Sequence, residues 1–258
     1  MRIDYEGRIL MGGTSSRDIG FPHKLQLEDN DTNPKGLSII SNRNTVHASH
    51  IDFAKTRGTS LGSNTIVQNG DYLGHINFRG ADGTDLGTLA SRISASVDGT
   101  PGSNNVPGNL TFWTQTAGGS IAERLRIDSN GRLLVGTTTE GFAEADDLTI
   151  NSADHGGITI RTPTNKEGNI AFSDTTSGTG EYSGLIRYRH SNDDLGFWTN
   201  SNLRLMIHSN GYMSLGNSSA PTKFGIRGTS GTTDATMQIV GNGAVSYTHL
   251  RAHETEAY

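Results

Sequence analysis

Apolar and polar residues alternate with a period of two in short runs along most of the chain. Leu125 and Ile127 alternate with Arg126 and Asp128, Asn130-Gly131 interrupts, and Leu133 and Val135 resume the alternation before Gly136. Successive strand residues face opposite sides, so this run predicts a β-hairpin with one apolar face, turning at a dipeptide that tolerates positive φ. The same pattern stands at residues 1–12, turning at Gly7 and closing at Gly12, and at residues 205–216, turning at Gly211 and closing at Gly216. The three copies are unevenly spaced, which predicts modules with variable insertions rather than a fixed-period solenoid.

The segments between the hairpins also align. Residues 24–27 correspond to 147–150, 36–39 to 157–160, 51–53 to 170–172, 74–79 to 184–189 and 110–114 to 195–199. Each is a short alternating run bounded by Gly, Asn, Asp or Ser, and none has a helical period. The pattern predicts an all-β protein of repeated short antiparallel strands and hairpins. Residues 1–16 read as the end of a truncated module, 17–139 as a first full module, 140–219 as a second and 220–244 as the start of a third. Residues 79–110 read as a long insertion in the first module, the place where variable loops would carry recognition.

Composition sharpens this picture. Glycine supplies 34 of 258 residues, about twice the ordinary 7%, and Leu, Ile, Val and Phe together supply only about a fifth. Charged residues are 18% and the net charge is −5, without the self-repulsion that usually accompanies disorder. One apolar stripe per strand and few bulky side chains leave each sheet with a face that something must cover. A second sheet of the same chain would make a sandwich, whereas the same strands of neighbouring chains would make an elongated oligomer about a threefold axis. The second arrangement suits so thin a stripe better. With no cysteine there are neither disulfides nor thiolate metal sites, and a pI near 6.0 without a basic stripe argues against nucleic acid. The longest apolar runs fall far short of the roughly 18 residues that span a bilayer, so no membrane insertion is expected.

The Glu123-to-Ile127 segment, the Ser-Asn-Gly turn, the Leu133-to-Thr138 close and the upstream Gly-x-Ile-x-Phe and Leu-Thr-Phe-x-Thr strands together resemble the repeated shaft modules of bacteriophage tail fibres and related virion appendages. The pattern is especially similar to fibres that end in an endosialidase-type intramolecular chaperone. It covers roughly residues 1–244. The resemblance implies an intertwined homotrimer, a location in the virion and a role in reaching or binding a host-surface glycan or protein receptor. Both ends of the chain read as cut. Residues 245–258 share no periodicity with the rest and resemble a translated sequencing-library adapter, so the spacing of His249, His253 and Glu254 there is not read as a metal site.

Several groupings invite chemistry and are read as structure. The acidic run Asp29-Asn30-Asp31-Thr32-Asn33 offers alternate oxygen ligands, but Pro34 and Ile40 stand where a calcium loop requires Gly and Glu. His47 and His50 lack metal-ligating neighbours. Asp82 with Asp85, and Asp193 with Asp194, are candidate acid and base pairs of a glycan-degrading tailspike, yet each sits where a hairpin tip is expected. In Phe112-Trp113 and Phe197-Trp198 one ring of each pair should enter a core and the other lie outside or under a loop, where Trp113 or Trp198 would be free to stack on a sugar. No catalytic, cofactor-binding or metal residue is assigned. The leading expectation is a non-enzymatic trimeric shaft or spacer with receptor contacts in its loops, and the alternatives are a tailspike-type glycan depolymerase and a bacterial surface adhesin.

Overall fold

The structure, a computed structural model, describes residues 1–32, 36–216 and 224–226. It is all-β, with one short 3-10 turn at Gly178–Tyr182. No helix among the described residues is long and apolar enough to cross a membrane. The first sheet holds β1 (Arg2–Ile3), β2 (Ile9–Met11) and β3 (Leu25–Leu27). The second holds β4 (Tyr72–Arg79), β5 (Leu89–Val97), β6 (Gly108–Gln115), β7 (Ile121–Ile127), β8 (Leu133–Val135) and β9 (Leu148–Ile150). The third holds β10 (Glu167–Phe172), β11 (Gly184–Arg189), β12 (Asp194–Thr199), β13 (Asn202–Ile207), β14 (Met213–Leu215) and β15 (Phe224–Ile226).

Both six-stranded sheets follow sequence order, antiparallel at every step but the last, where β8 pairs with β9 and β14 with β15 in parallel. The first sheet has the same ending, since β1–β2 is antiparallel and β2–β3 parallel. The antiparallel ladders follow from short polar turns between alternating runs. Packing divides the chain into one compact unit from Met1 to Gly157 and another from Ile158 onward. That division falls after β9, because Leu133 N donates to Asp147 O at 2.8 Å and Asn151 N to Val135 O at 2.9 Å, tying β9 to β8.

The hairpin turns differ from a two-residue Asn-Gly loop. At 128–132, Gly131 N donates to Asp128 O (3.0 Å) and Asp128 N to Arg132 O (3.1 Å), a type I turn followed by one left-handed residue. Only Gly131, at φ +84°, takes a positive φ there; Asn130 does not. The Asp128 carboxylate holds the loop from inside, accepting the Asn130 and Arg132 amides (both 2.9 Å) and the Arg132 Nε (2.8 Å). Asp4 and Arg8 repeat this clamp at the first hairpin. Burial pushes the Asp128 carboxyl up, but the Arg132 amide and guanidinium outweigh it, so the group sits below the ordinary carboxylate range. At the third hairpin His208 and Tyr212 replace the pair, and the His208 ring lies 3.1 Å from Ser214 Oγ instead.

Pairing registers revise the alignment of the segments. Ile76 sits opposite Ile93 and Ile170 opposite Ile186, while Phe112 and Phe197 follow on the next strand of each sheet. Gly74-x-Ile76-x-Phe78 on β4 therefore corresponds to Gly168-x-Ile170-x-Phe172 on β10, not to 184–189. The counterpart of β11 is β5, which lies inside the stretch expected to be an insertion. Only residues 80–88 and 98–107 of that stretch are loops. Residues 36–39, 51–53 and 157–160, expected as strands, run without turn or bend and form no ladder among the described residues.

Candidate functional site

Cross-strand partners share a face, which makes the composition of each face legible from the registers. In the second sheet Ile76, Ile93, Phe112, Leu125, Val135 and Ile150 form one continuous row, and Gly74, Ala95, Leu110, Ile127, Leu133 and Leu148 form the next. In the third sheet the rows are Ile170, Ile186, Phe197, Leu205 and Leu215, then Gly168, Tyr188, Leu195, Ile207 and Met213. Ile3, Ile9 and Leu25, with Met11 and Leu27 beside them, do the same in the first. These rows are partly open: Ile76 is 48% exposed, Ile127 40%, Ile150 41% and Ile170 50%, while Ile93, Phe112, Leu125 and Val135, and Ile186, Phe197 and Leu205, are half-buried. Among the described residues only six apolar side chains are buried.

The opposite face is sealed, although it is the more polar one. Ser94, Thr111, Leu134, Met206 and Ser214 are all 1–2% exposed. Long amphipathic side chains lie over these small residues and turn their polar ends to one another. Arg126 grips Glu123 through two bonds (2.7 and 3.0 Å), and Arg92 Nε donates to Asn77 Oδ1 (2.8 Å). Arg189 Nε donates to Asp194 Oδ1 at 2.7 Å, and that carboxylate holds the guanidinium above its ordinary pKa. Trp113 Nε1 donates to Thr111 Oγ1 (2.8 Å). Trp198 lies over Gly196, with the Arg187 guanidinium 4.9 Å from its ring centroid.

The aromatic pairs thus divide as the alternation predicts, Phe to the apolar row and Trp to the sealed face. A bulge separates them at the same step in both sheets, between Phe112 and Trp113 and between Phe197 and Trp198. Both tryptophans are half-buried and form part of this lid. The skipped residues are Arg124 and Arg204, whose carbonyls accept the N–H of the closing Gly136 (3.0 Å) and Gly216 (2.9 Å).

The remaining candidates are dispersed. Asp82 caps the β4–β5 tip, accepting the Thr84 amide (2.8 Å), the Asp85 amide (3.1 Å) and the Thr88 hydroxyl (2.6 Å), while Asp85 accepts the Gly87 amide (2.6 Å). The Thr88 hydroxyl bond, then the two amides, bring the Asp82 pKa down to about 2. A carboxyl tuned downward is a poor proton donor near neutral pH. Asp82 should therefore titrate near pH 2 in carboxyl-detected NMR; its stabilising effect is complete above the ordinary value of 3.8 and lost as pH falls through about 2. A midpoint near 4 would mean that the tip bonds do not persist in solution. Asp194 is committed to Arg189, whereas Asp193, at φ +50°, accepts the Tyr188 hydroxyl (3.1 Å). Asp29 accepts the Asp31 amide at 3.0 Å, as a turn does. His47 and His50 are exposed, and among the described residues no group of three or more His, Cys, Asp or Glu stands close enough to hold a metal. Asn33, His249, His253 and Glu254 lie outside the described residues.

At one end of the second sheet three loops are tied together. Gly99 N donates to Asn69 Oδ1 and Ser129 N to Asp98 Oδ2, both at 2.9 Å. Sequence reasoning missed this cluster because its bonds join residues about thirty apart. It also missed the Asp–Arg clamp, although an Asp and an Arg four residues apart flank the turn in two of the three hairpins.

Comparison with known proteins finds no matching family model and no curated relative. Among solved structures, this one is similar to the carboxy-terminal domain of the bacteriophage T5 L-shaped tail fibre, at TM-score 0.39 and 12% identity over 81% of this chain and 100% of that one. The same domain with its intramolecular chaperone gives TM-score 0.39 and 14% identity over 84% and 72%. Both are domains of a phage tail fibre.

Proposed function

We propose that this chain is a shaft segment of a virion fibre, in which three copies close one another's apolar faces. The observation that carries the reading is the contrast between the two faces of the six-stranded sheets: the polar face is covered by the chain's own arginines and tryptophans, while the apolar rows run from half-buried to exposed. Exposed apolar area on this scale marks an association surface, and a closed rotational assembly buries it with no face left over. Residues 17–139 and 140–219 then act as two spacer modules. The role is mechanical and multivalent, since three identical sets of loops raise avidity for a repeated surface ligand. The loops at 80–88 and 98–107 are the places for receptor contacts, because they join strands of a rigid ladder and lie outside the strands themselves. The reading is non-enzymatic: each aspartate considered as an acid or base is engaged in a turn or an ion pair.

Light scattering on the purified chain tests this. The expected particle mass is three times the 27.5 kDa chain. A 27.5 kDa particle that unfolds cooperatively would overturn it and favour a self-sufficient fold.

A further inference from the structure

Among the described residues, asparagine precedes glycine at Asn69-Gly70, Asn130-Gly131 and Asn210-Gly211. All three asparagines are exposed, and the last two stand in hairpins that share the run Ser-Asn-Gly. Such a step is chemically labile, since glycine offers its deprotonated amide nitrogen an unhindered approach to the asparagine carboxamide. Attack requires the carboxamide to turn toward that nitrogen, so whatever holds it elsewhere slows the reaction. Each glycine amide is engaged: Gly70 N donates to Val97 O (2.9 Å), Gly131 N to Asp128 O (3.0 Å) and Gly211 N to His208 O (2.8 Å). The carboxamides differ. Asn69 Oδ1 accepts the Gly99 amide at 2.9 Å and Asn210 Oδ1 the Tyr212 amide at 3.0 Å. At the second hairpin the corresponding amide, Arg132 N, goes to the Asp128 carboxylate instead (2.9 Å), and among the described residues the Asn130 carboxamide has no hydrogen bond.

We infer that Asn130 is a site of spontaneous covalent modification, deamidating through a succinimide while Asn69 and Asn210 are held back. The Gly131 nitrogen gives up its proton and bonds to Asn130 Cγ; the Cγ–Nδ2 bond breaks, and Nδ2 leaves as ammonia with that proton. Water then opens the ring at either carbonyl, leaving aspartate or isoaspartate, with no oxidation or reduction. The Asp–Arg clamp creates the site: by taking the Arg132 amide onto Asp128 it leaves the Asn130 carboxamide nothing to accept. Where His208 stands in place of the aspartate, the asparagine takes over that role and is restrained. Opening to isoaspartate adds a methylene to the main chain and puts a new carboxylate beside Ser129, whose amide is tied to Asp98 at 2.9 Å. Modification should thus loosen the end of the second sheet where three loops meet.

Incubating the purified chain in mildly alkaline buffer, with peptide masses read over time, tests this. Asn130 should convert about fivefold faster than Asn69 or Asn210, the factor that one hydrogen bond of ordinary net strength is worth. In denaturing urea the three rates should converge, because only the fold distinguishes the steps. His208→Asp, which installs the clamp's carboxylate at the third hairpin, should release Asn210 and bring its rate up to that of Asn130. Equal or faster conversion at Asn69 or Asn210 in the folded parent would overturn the inference. A ranking that persists in urea would place its cause in neighbouring residues and also overturn it. So would an unchanged Asn210 rate in a folded His208→Asp chain; if that variant does not fold, the parent and its urea control decide alone.

Discussion

Aspartate at both Phe112 and Phe197 should convert the assembled protein into single chains, read as a fall in light-scattering mass to 27.5 kDa at concentrations where the parent stays associated. Both rings lie in the apolar rows, each flanked by an isoleucine on one side and a leucine on the other. In an isolated chain both rings are half-buried, so a carboxylate there carries the ordinary cost of a point substitution, about 1 kcal/mol. Buried against a neighbour's apolar row it becomes an unpaired charge, and breaking a buried pair by comparison costs roughly 3–5 kcal/mol. Two such charges per chain exceed what a shared core of thin stripes supplies. The matched control is Trp113→Ala, which removes a lid residue from the sealed face. It should loosen the second sheet and leave the particle mass unchanged. Equal mass loss in both variants would mean that the two faces do not differ in role.

How much of this could be read from residues alone depended on whether a feature is local. The hairpins were legible because alternation, a turn glycine and a closing glycine all fall within twelve residues. The division of Phe112 and Trp113 between faces followed from strand geometry. The partner of a face was not legible, because alternation says which side is apolar and nothing about what lies against it. That is why 51–53 and 157–160 read as strands yet have no ladder among the described residues. β5 was hidden for a different reason. Its run of Ser91, Arg92, Ile93, Ser94, Ala95 and Ser96 is mostly small or polar on both sides, since one side fits under the Arg and Trp lid and the other has only Ile93 at its centre. Without β5 the sequence pattern aligns one strand off, pairing Gly74 with Gly184, whereas the registers pair it with Gly168. The lid itself is a property of tertiary contact, as a polar residue such as Ser94 gives no signal that it will be buried.

The second large effect should come from Gly136→Ala. Gly136 sits at φ +71°, and an added Cβ would meet the Asn151 carbonyl. Its own N–H is bonded to the bulge carbonyl of Arg124 at 3.0 Å, so it cannot turn away without giving up that bond, and Asn151 is held by its 2.9 Å bond to Val135. The left-handed backbone alone costs about 1–2 kcal/mol for a residue with a side chain, and relieving the contact must also break a ladder bond worth about 1 kcal/mol. Together these predict a loss of about 2–3 kcal/mol and a drop in Tm of roughly 5–10 °C, measured at fixed chain concentration because association shifts Tm. Gly131→Ala isolates the conformational part. Its φ is +84°, but nothing lies within 4 Å of the added Cβ, so only the left-handed strain of about 1–2 kcal/mol remains. A larger loss at Gly136 than at Gly131 would locate the difference in the contact with Asn151, where the hairpin's second strand hands over to its parallel neighbour. Gly12, at φ +95° with the Glu28 carbonyl in the same relation, should follow Gly136 rather than Gly131. Equal losses at Gly131 and Gly136 would mean that the closing glycine serves only as a turn residue. A closing glycine at both positions is then a steric requirement of bringing the third strand in parallel beside the second, which a hairpin alone would not impose.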